Sequence, residues 1–215
     1  MALFQLDPRS IAARARASEE ATPRVPSLRE SLCRGTLGFT VVSVAGFAPW
    51  AIFEHWFHSM RETELYIACT LVFIAASGPL LHRLIIGPGS LARFYKLFAI
   101  AFTSYAAAWI ALWVGLRGES GVFFGLLAGS VAMGAVIAFA FAAPQDLLKV
   151  IAAIFLGNAA GYYAGEWLHA EIGLDHRYLS MAAWGVCYGL GFGAGLGLAF
   201  YISQARARAL LACAG

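Results

Sequence analysis

Six blocks of this chain run with almost no charge for about the twenty residues that a helix needs to cross the hydrocarbon core of a bilayer. They are Gly35–Phe53, Leu65–Ile86, Leu97–Leu116, Gly121–Ala143, Val150–Trp167 and Met181–Ile202. The breaks between them are short and carry the Gly, Pro and charge that lipid rejects, as in GPGSLARFYK and HAEIGLDHRYLS. Both lysines, Lys96 and Lys149, fall in such breaks. Apolar residues run continuously instead of alternating in pieces of about ten, which argues against a transmembrane β-barrel. The chain is 60% hydrophobic and 13% charged, with mean hydropathy +0.72. Soluble domains sit near half apolar and a quarter charged. The expected fold is an all-α integral membrane protein with about six transmembrane helices over residues 35–203. Residues 1–34 are expected to form a partly flexible N-terminal tail, and 204–215 a short basic C-terminal tail.

Direction follows from Lys and Arg, which concentrate on the cytoplasmic side of membrane proteins. With the N-terminus inside, twelve of the fifteen basic residues lie in inner segments, and only Arg61, Arg117 and Arg177 in outer ones. Acids run five inside and seven outside, so the inner segments carry +7 and the outer segments −4. Both termini are therefore expected in the cytoplasm. The lead before the first block is polar, over thirty residues long, and holds six arginines. A signal peptide has a short basic region and a small-residue cleavage site after its apolar core, so the first block reads as a retained span. Within the lead, IAARARA can form an amphipathic turn at the membrane surface. Compact loops and a composition rich in Arg, Ala and Gly point to a bacterial inner membrane. Cys33, Cys69, Cys187 and Cys213 are far apart with no CxxC spacing, and on this topology they are small apolar filler, not a disulfide framework.

Glycine recurs every fourth residue in three blocks: Gly121, Gly125 and Gly129; Gly157, Gly161 and Gly165; and Gly185, Gly189, Gly193 and Gly197, with Gly191 and Gly195 on another face. This glycine-zipper spacing puts small residues on one side of a helix and lets backbones approach closely. It fits packing within one bundle first, with a homo-oligomer, a partner membrane subunit or a sliding contact as the alternative. Ser77-Gly78-Pro79 sits in the inner half of the second block, where proline removes a backbone bond and is expected to kink or break the helix.

The outer end is where chemistry collects. All six tryptophans fall toward it, while interface anchoring would spread Trp and Tyr over both faces. Trp50, Trp109, Trp113 and Trp184 can wall an outward vestibule, with Asn158, Tyr162 and Tyr188 supplying hydrogen bonds below. Glu54 and Glu166 lie next to apolar sequence, where a carboxylate is costly unless it is paired or faces a cavity. These nine residues form the candidate substrate-binding set. Glu54 with His58, and Glu166 with His169, also place carboxylate and imidazole on one helix face, a set that suits zinc, iron or manganese. The alternative is a water-exposed polar cap at two helix exits.

No motif names a reaction. The blocks hold no lysine for a Schiff base and no deep histidine pair for haem. There is no P-loop, no HExxH and no G-x-S-x-G, so an enzyme is unsupported and no cofactor can be named. A net charge of +3 gives no case for nucleic acid. Three readings stay open: small-molecule transport or capture from the outer face; a non-catalytic subunit of a larger membrane complex; and a membrane enzyme or metal protein using the outer Glu and His. In general plan, six helices and short loops, the chain resembles the substrate-binding membrane components of energy-coupling-factor vitamin transporters. That resemblance implies capture from outside and transfers no site residue.

Overall fold

The computed structural model describes residues 4–17, 25–57 and 62–213, with the side chains of 51–57, 62, 63 and 174 outside that description. It is all-helical. Six long helices are apolar enough to cross a membrane: α2 (Leu28–Phe57), α3 (Glu62–Leu81), α4 (Ser90–Leu116), α5 (Gly118–Ala140), α6 (Leu147–Ile172) and α7 (Arg177–Ser203). Two short helices flank them, α1 (Pro8–Ala17) and α8 (Ala205–Ala212). Each long helix packs on its neighbours in the chain, and α7 returns to pack along α2, so the six close into a ring. An even number of crossings puts α1 and α8 at the same end, where they touch. That end is called the terminal end below, and the other the far end.

Among the described residues each tail holds a short helix, while most of the ASEEATPRVPS stretch expected to be flexible lies outside them. Asp7 caps α1 by accepting from the Ser10 backbone N–H at 3.0 Å, and Pro8 follows at the first helical position. Hydrogen bonds from the Ser10 hydroxyl and from its backbone N–H hold the Asp7 carboxyl below its ordinary value. Ile11, Ala12 and Ala15 are buried, so the IAARARA segment is packed into the protein on that side. The start of α2 lies seven residues before the apolar block. Ser27 Oγ accepts from the Glu30 backbone N–H at 3.1 Å, and Glu30 pairs with Arg34 at 2.8 Å; Ser27-x-x-Glu30 is a capping-box pattern that starts a helix in water, ahead of the lipid.

The glycine spacing is consumed inside the chain. Gly157 and Gly161 of α6 meet the backbone of α7, where an added Cβ would come within 2.5 Å of the Gly191 oxygen and 2.8 Å of the Cys187 oxygen. Gly185, Gly189, Gly193 and Gly197 of α7 turn to α2, and Gly191 and Gly195 turn to α6. These faces are interior contacts, which favours packing within the bundle over the oligomer or partner contact that the spacing also allowed.

Pro79 does not break its helix. α3 runs on to Leu81 and passes into a turn of 3-10 helix over His82–Leu84. Proline has no N–H to give to the carbonyl four residues back, which is Ala75. The Tyr95 hydroxyl of α4 donates to that oxygen instead, at 2.8 Å. Gly78 leaves room for it, since a Cβ there would collide with the Tyr95 ring. In lipid an unmet carbonyl is costly, so the three residues work as a set.

The terminal end is filled. Arg93 is 5% exposed, and its guanidinium donates to the carbonyls of Ile86, Gly87, Pro88 and Gly89 at 2.6–3.3 Å. Gln204, at 2% exposed, accepts from the Ile86 N–H at 2.9 Å and donates to the Leu84 and Phe200 carbonyls. These two side chains hold the α3–α4 connection in place of water. Above them Phe94, Phe98 and Phe102 of α4 stack in series, with centroids 5.2 and 5.3 Å apart. Phe39, Phe192 and Phe200 complete the plug.

Candidate functional site

One aromatic stripe leads from the plug to the opposite end. Along α4, Phe94, Phe98, Phe102, Tyr105, Trp109 and Trp113 recur at steps of four, four, three, four and four residues, which is one face of a helix. It changes from Phe through Tyr to Trp toward the far end. The glycines of α5 seat the upper part. Gly129 faces Tyr105, Gly125 faces Trp109 and Gly121 faces Trp113, with built Cβ positions 2.7–3.1 Å from those residues. On the far side of the ring Gly165 of α6 likewise leaves space for the Trp184 ring of α7.

At the far end the ring encloses a cavity of about 520 Å³, lined by α2, α3, α4, α6 and α7 but not by α5. One wall is Trp50, Tyr66, Trp109 and Trp113. Tyr66 lies 5.7 Å from Trp50, 6.3 Å from Trp109 and 6.2 Å from Trp113 between centroids, and Trp109 and Trp113 stack at 5.8 Å and 7°. The facing wall is Phe47, Tyr162, Trp184 and Tyr188, with Trp184 4.6 Å from Phe47 and 5.7 Å from Tyr162. Phe73, Phe102 and Tyr105 form the base, against the plug.

Polar groups are few and placed at two levels. At the base Asn158 Nδ2 donates to the Tyr105 hydroxyl at 2.9 Å, and the Tyr188 hydroxyl reaches the same oxygen at 3.4 Å. Trp184 Nε1 is buried and has no hydrogen-bond partner among the described residues. Higher up, Glu166 is exposed and His169 half-buried. The His169 ring bonds through Nδ1 to the Ser180 hydroxyl, which also reaches the His169 carbonyl at 3.2 Å. At the rim the Arg117 guanidinium lies over the Trp113 ring, 5.0 Å from its centroid, and Arg177 donates to the Trp50 carbonyl at 3.3 Å.

Of the nine candidate binding residues, Trp50, Trp109, Trp113, Tyr162, Glu166, Trp184 and Tyr188 line this one cavity. Asn158 does not. It is fully buried behind the base and positions Tyr105. The Glu54 side chain lies outside the described residues, as does His58. The four-residue metal set is therefore described only at Glu166 and His169. Among the described residues no three His, Cys, Asp or Glu come together. Trp167 is 65% exposed on the outside of the ring, where it suits interface anchoring. Sequence reasoning missed Tyr66, Tyr105, Phe47, Phe73 and Phe102. The signal for Tyr105 and Phe102 was there, in their register with Trp109 and Trp113.

Compared with family models, characterised proteins and solved structures, the chain matches none of them. Its likeness in plan to vitamin-capturing membrane components rests on helix number and size alone, and what the sequence and structure establish is a multipass helical membrane protein.

Proposed function

We propose that this protein captures a small organic molecule in the far-end cavity, and that the cavity opens to the outside of the membrane. The observation that carries the reading is the cavity itself. Small-molecule sites run to about 300–1,000 Å³, are mostly apolar and aromatic, and hold a few placed polar groups. A volume of about 520 Å³, four tryptophans, four tyrosines and the Glu166, His169 and Trp184 polar atoms meet that description. Orientation is supported by charge. The terminal-end segments carry +7 and the far-end segments −4, and the basic side belongs in the cytoplasm. The plugged terminal end gives capture a blind floor, with access from the far end.

The test is elution of the natural occupant. The full chain is extracted in native lipid with a polymer, denatured, and its small-molecule content read by mass spectrometry. Ala106→Phe, on the α4 wall, is the comparison, because it fills the cavity and removes no polar group. An organic molecule carried by the wild type and reduced at least tenfold in the filled variant is the expected result. Equal content in two equally folded samples would overturn the capture reading and favour a structural subunit.

A further inference from the structure

We infer that the molecule taken by this cavity is an organic cation, a quaternary or tertiary ammonium group carried on an apolar body. The inference rests on the capture reading and specifies its ligand. Trp rings attract cations most strongly, through the negative potential of their faces. Here Trp50, Tyr66, Trp109 and Trp113 surround one side of the space and Trp184 and Tyr162 the other. Among the described residues lining it, Glu166 is the one carboxylate, and no Lys or Arg takes part.

The structure contains its own example of the pairing at this rim, the Arg117 guanidinium over the Trp113 face. Among the described residues Arg117 and Arg177 are cations near the opening, and they are included in the −4 carried by the far-end segments. That balance favours a positive visitor over a negative one. The hydroxyls of Tyr105 and Tyr188 and the Trp184 N–H lie among the rings, where a compact ammonium head with a neutral polar or apolar body finds partners for both ends.

The probe pair is benzyltrimethylammonium and neopentylbenzene, which share shape and differ by one charge. Each is titrated into the full chain in phosphatidylcholine nanodiscs, with protein-free nanodiscs as blank, and quenching of tryptophan emission is read. The expected result is saturable binding of the cation at least about tenfold tighter than the neutral isostere. Glu166→Gln should weaken the cation about tenfold and leave the isostere unchanged. Trp109→Leu should weaken both, the cation more. Equal affinity for the two probes in the wild type, or the same cation affinity in wild type and Glu166→Gln, would overturn the cation inference while leaving capture standing. Saturable binding of neither probe would overturn this inference too; an occupant eluted as described above would then leave the capture reading in place, and an empty eluate would remove both.

Discussion

The two ends of this bundle are built from the same kind of residue and end in opposite states. Both are aromatic, and both are crossed by the same stripe of α4. At the terminal end the rings are phenylalanines, stacked on one another and closed from below by Arg93 and Gln204. At the far end they are tryptophans and tyrosines that touch along each wall but leave a space between the walls, with the Tyr105, Trp109 and Trp184 rings set against Gly129, Gly125 and Gly165 of neighbouring helices. Filling needs rings that meet each other. An enclosed space needs rings whose backs are supported elsewhere. The small residues of α5 supply that support on one side, and Gly165 of α6 on the other.

The contrast predicts different responses to damage. The largest effect should come from the helix contact that both ends depend on. In Gly157→Leu the side chain must enter the α7 backbone at Gly191 and Gly195. It should cost more than about 3 kcal/mol and leave little folded monomer by size-exclusion fluorescence. Next comes the plug. Arg93→Met strips donors from four loop carbonyls and should lower stability by roughly 2–3 kcal/mol, read as a lower unfolding temperature in nanodiscs. Affinity for the cation probe should stay within about twofold. A fall in affinity matching that of Glu166→Gln would show that the ends are coupled and break the comparison. The smallest effect is at the waist of α3. Tyr95→Phe should cost about 1 kcal/mol. In a Pro79→Ala background, where an amide is restored to Ala75, the same change should cost little. An equal cost in both backgrounds would mean that the hydroxyl does not stand in for the missing amide.

Much of the architecture was legible because lipid leaves few choices. Continuous apolar blocks with charged breaks are read as spans whatever they pack against, and all six are helices in the structure. The ends were not legible from hydropathy, since α2 begins at a polar stretch with Ser27 and Glu30, and only capping chemistry marks that start. Whether the proline would break its helix or sit inside it was not legible locally, because the Tyr95 hydroxyl that meets the freed carbonyl lies on another helix. At the site the tryptophans were found by their bias to one end, which sorts residues by depth and not by facing. Trp167 and Trp109 both fall toward the same end of their blocks, yet one looks out of the ring and the other lines the cavity. Facing is decided by register, and the register of Tyr105, Trp109 and Trp113 against Gly129, Gly125 and Gly121 is written in the chain. Asn158 was placed at the right level and on the wrong side of Tyr105, because a lone buried amide carries no sign of which hydroxyl it holds.

That register has a mechanical meaning. The Trp109 and Tyr105 rings of α4 sit opposite Gly125 and Gly129 of α5, and one residue further along the gap is gone. Small glides of α4 are blocked, because a tryptophan would ride up onto a neighbouring side chain. The next arrangement in which rings again meet gaps is four residues away, about 6 Å. If this wall moves during a working cycle it moves as a ratchet does, tooth to tooth, with two stable lengths of cavity and nothing in between.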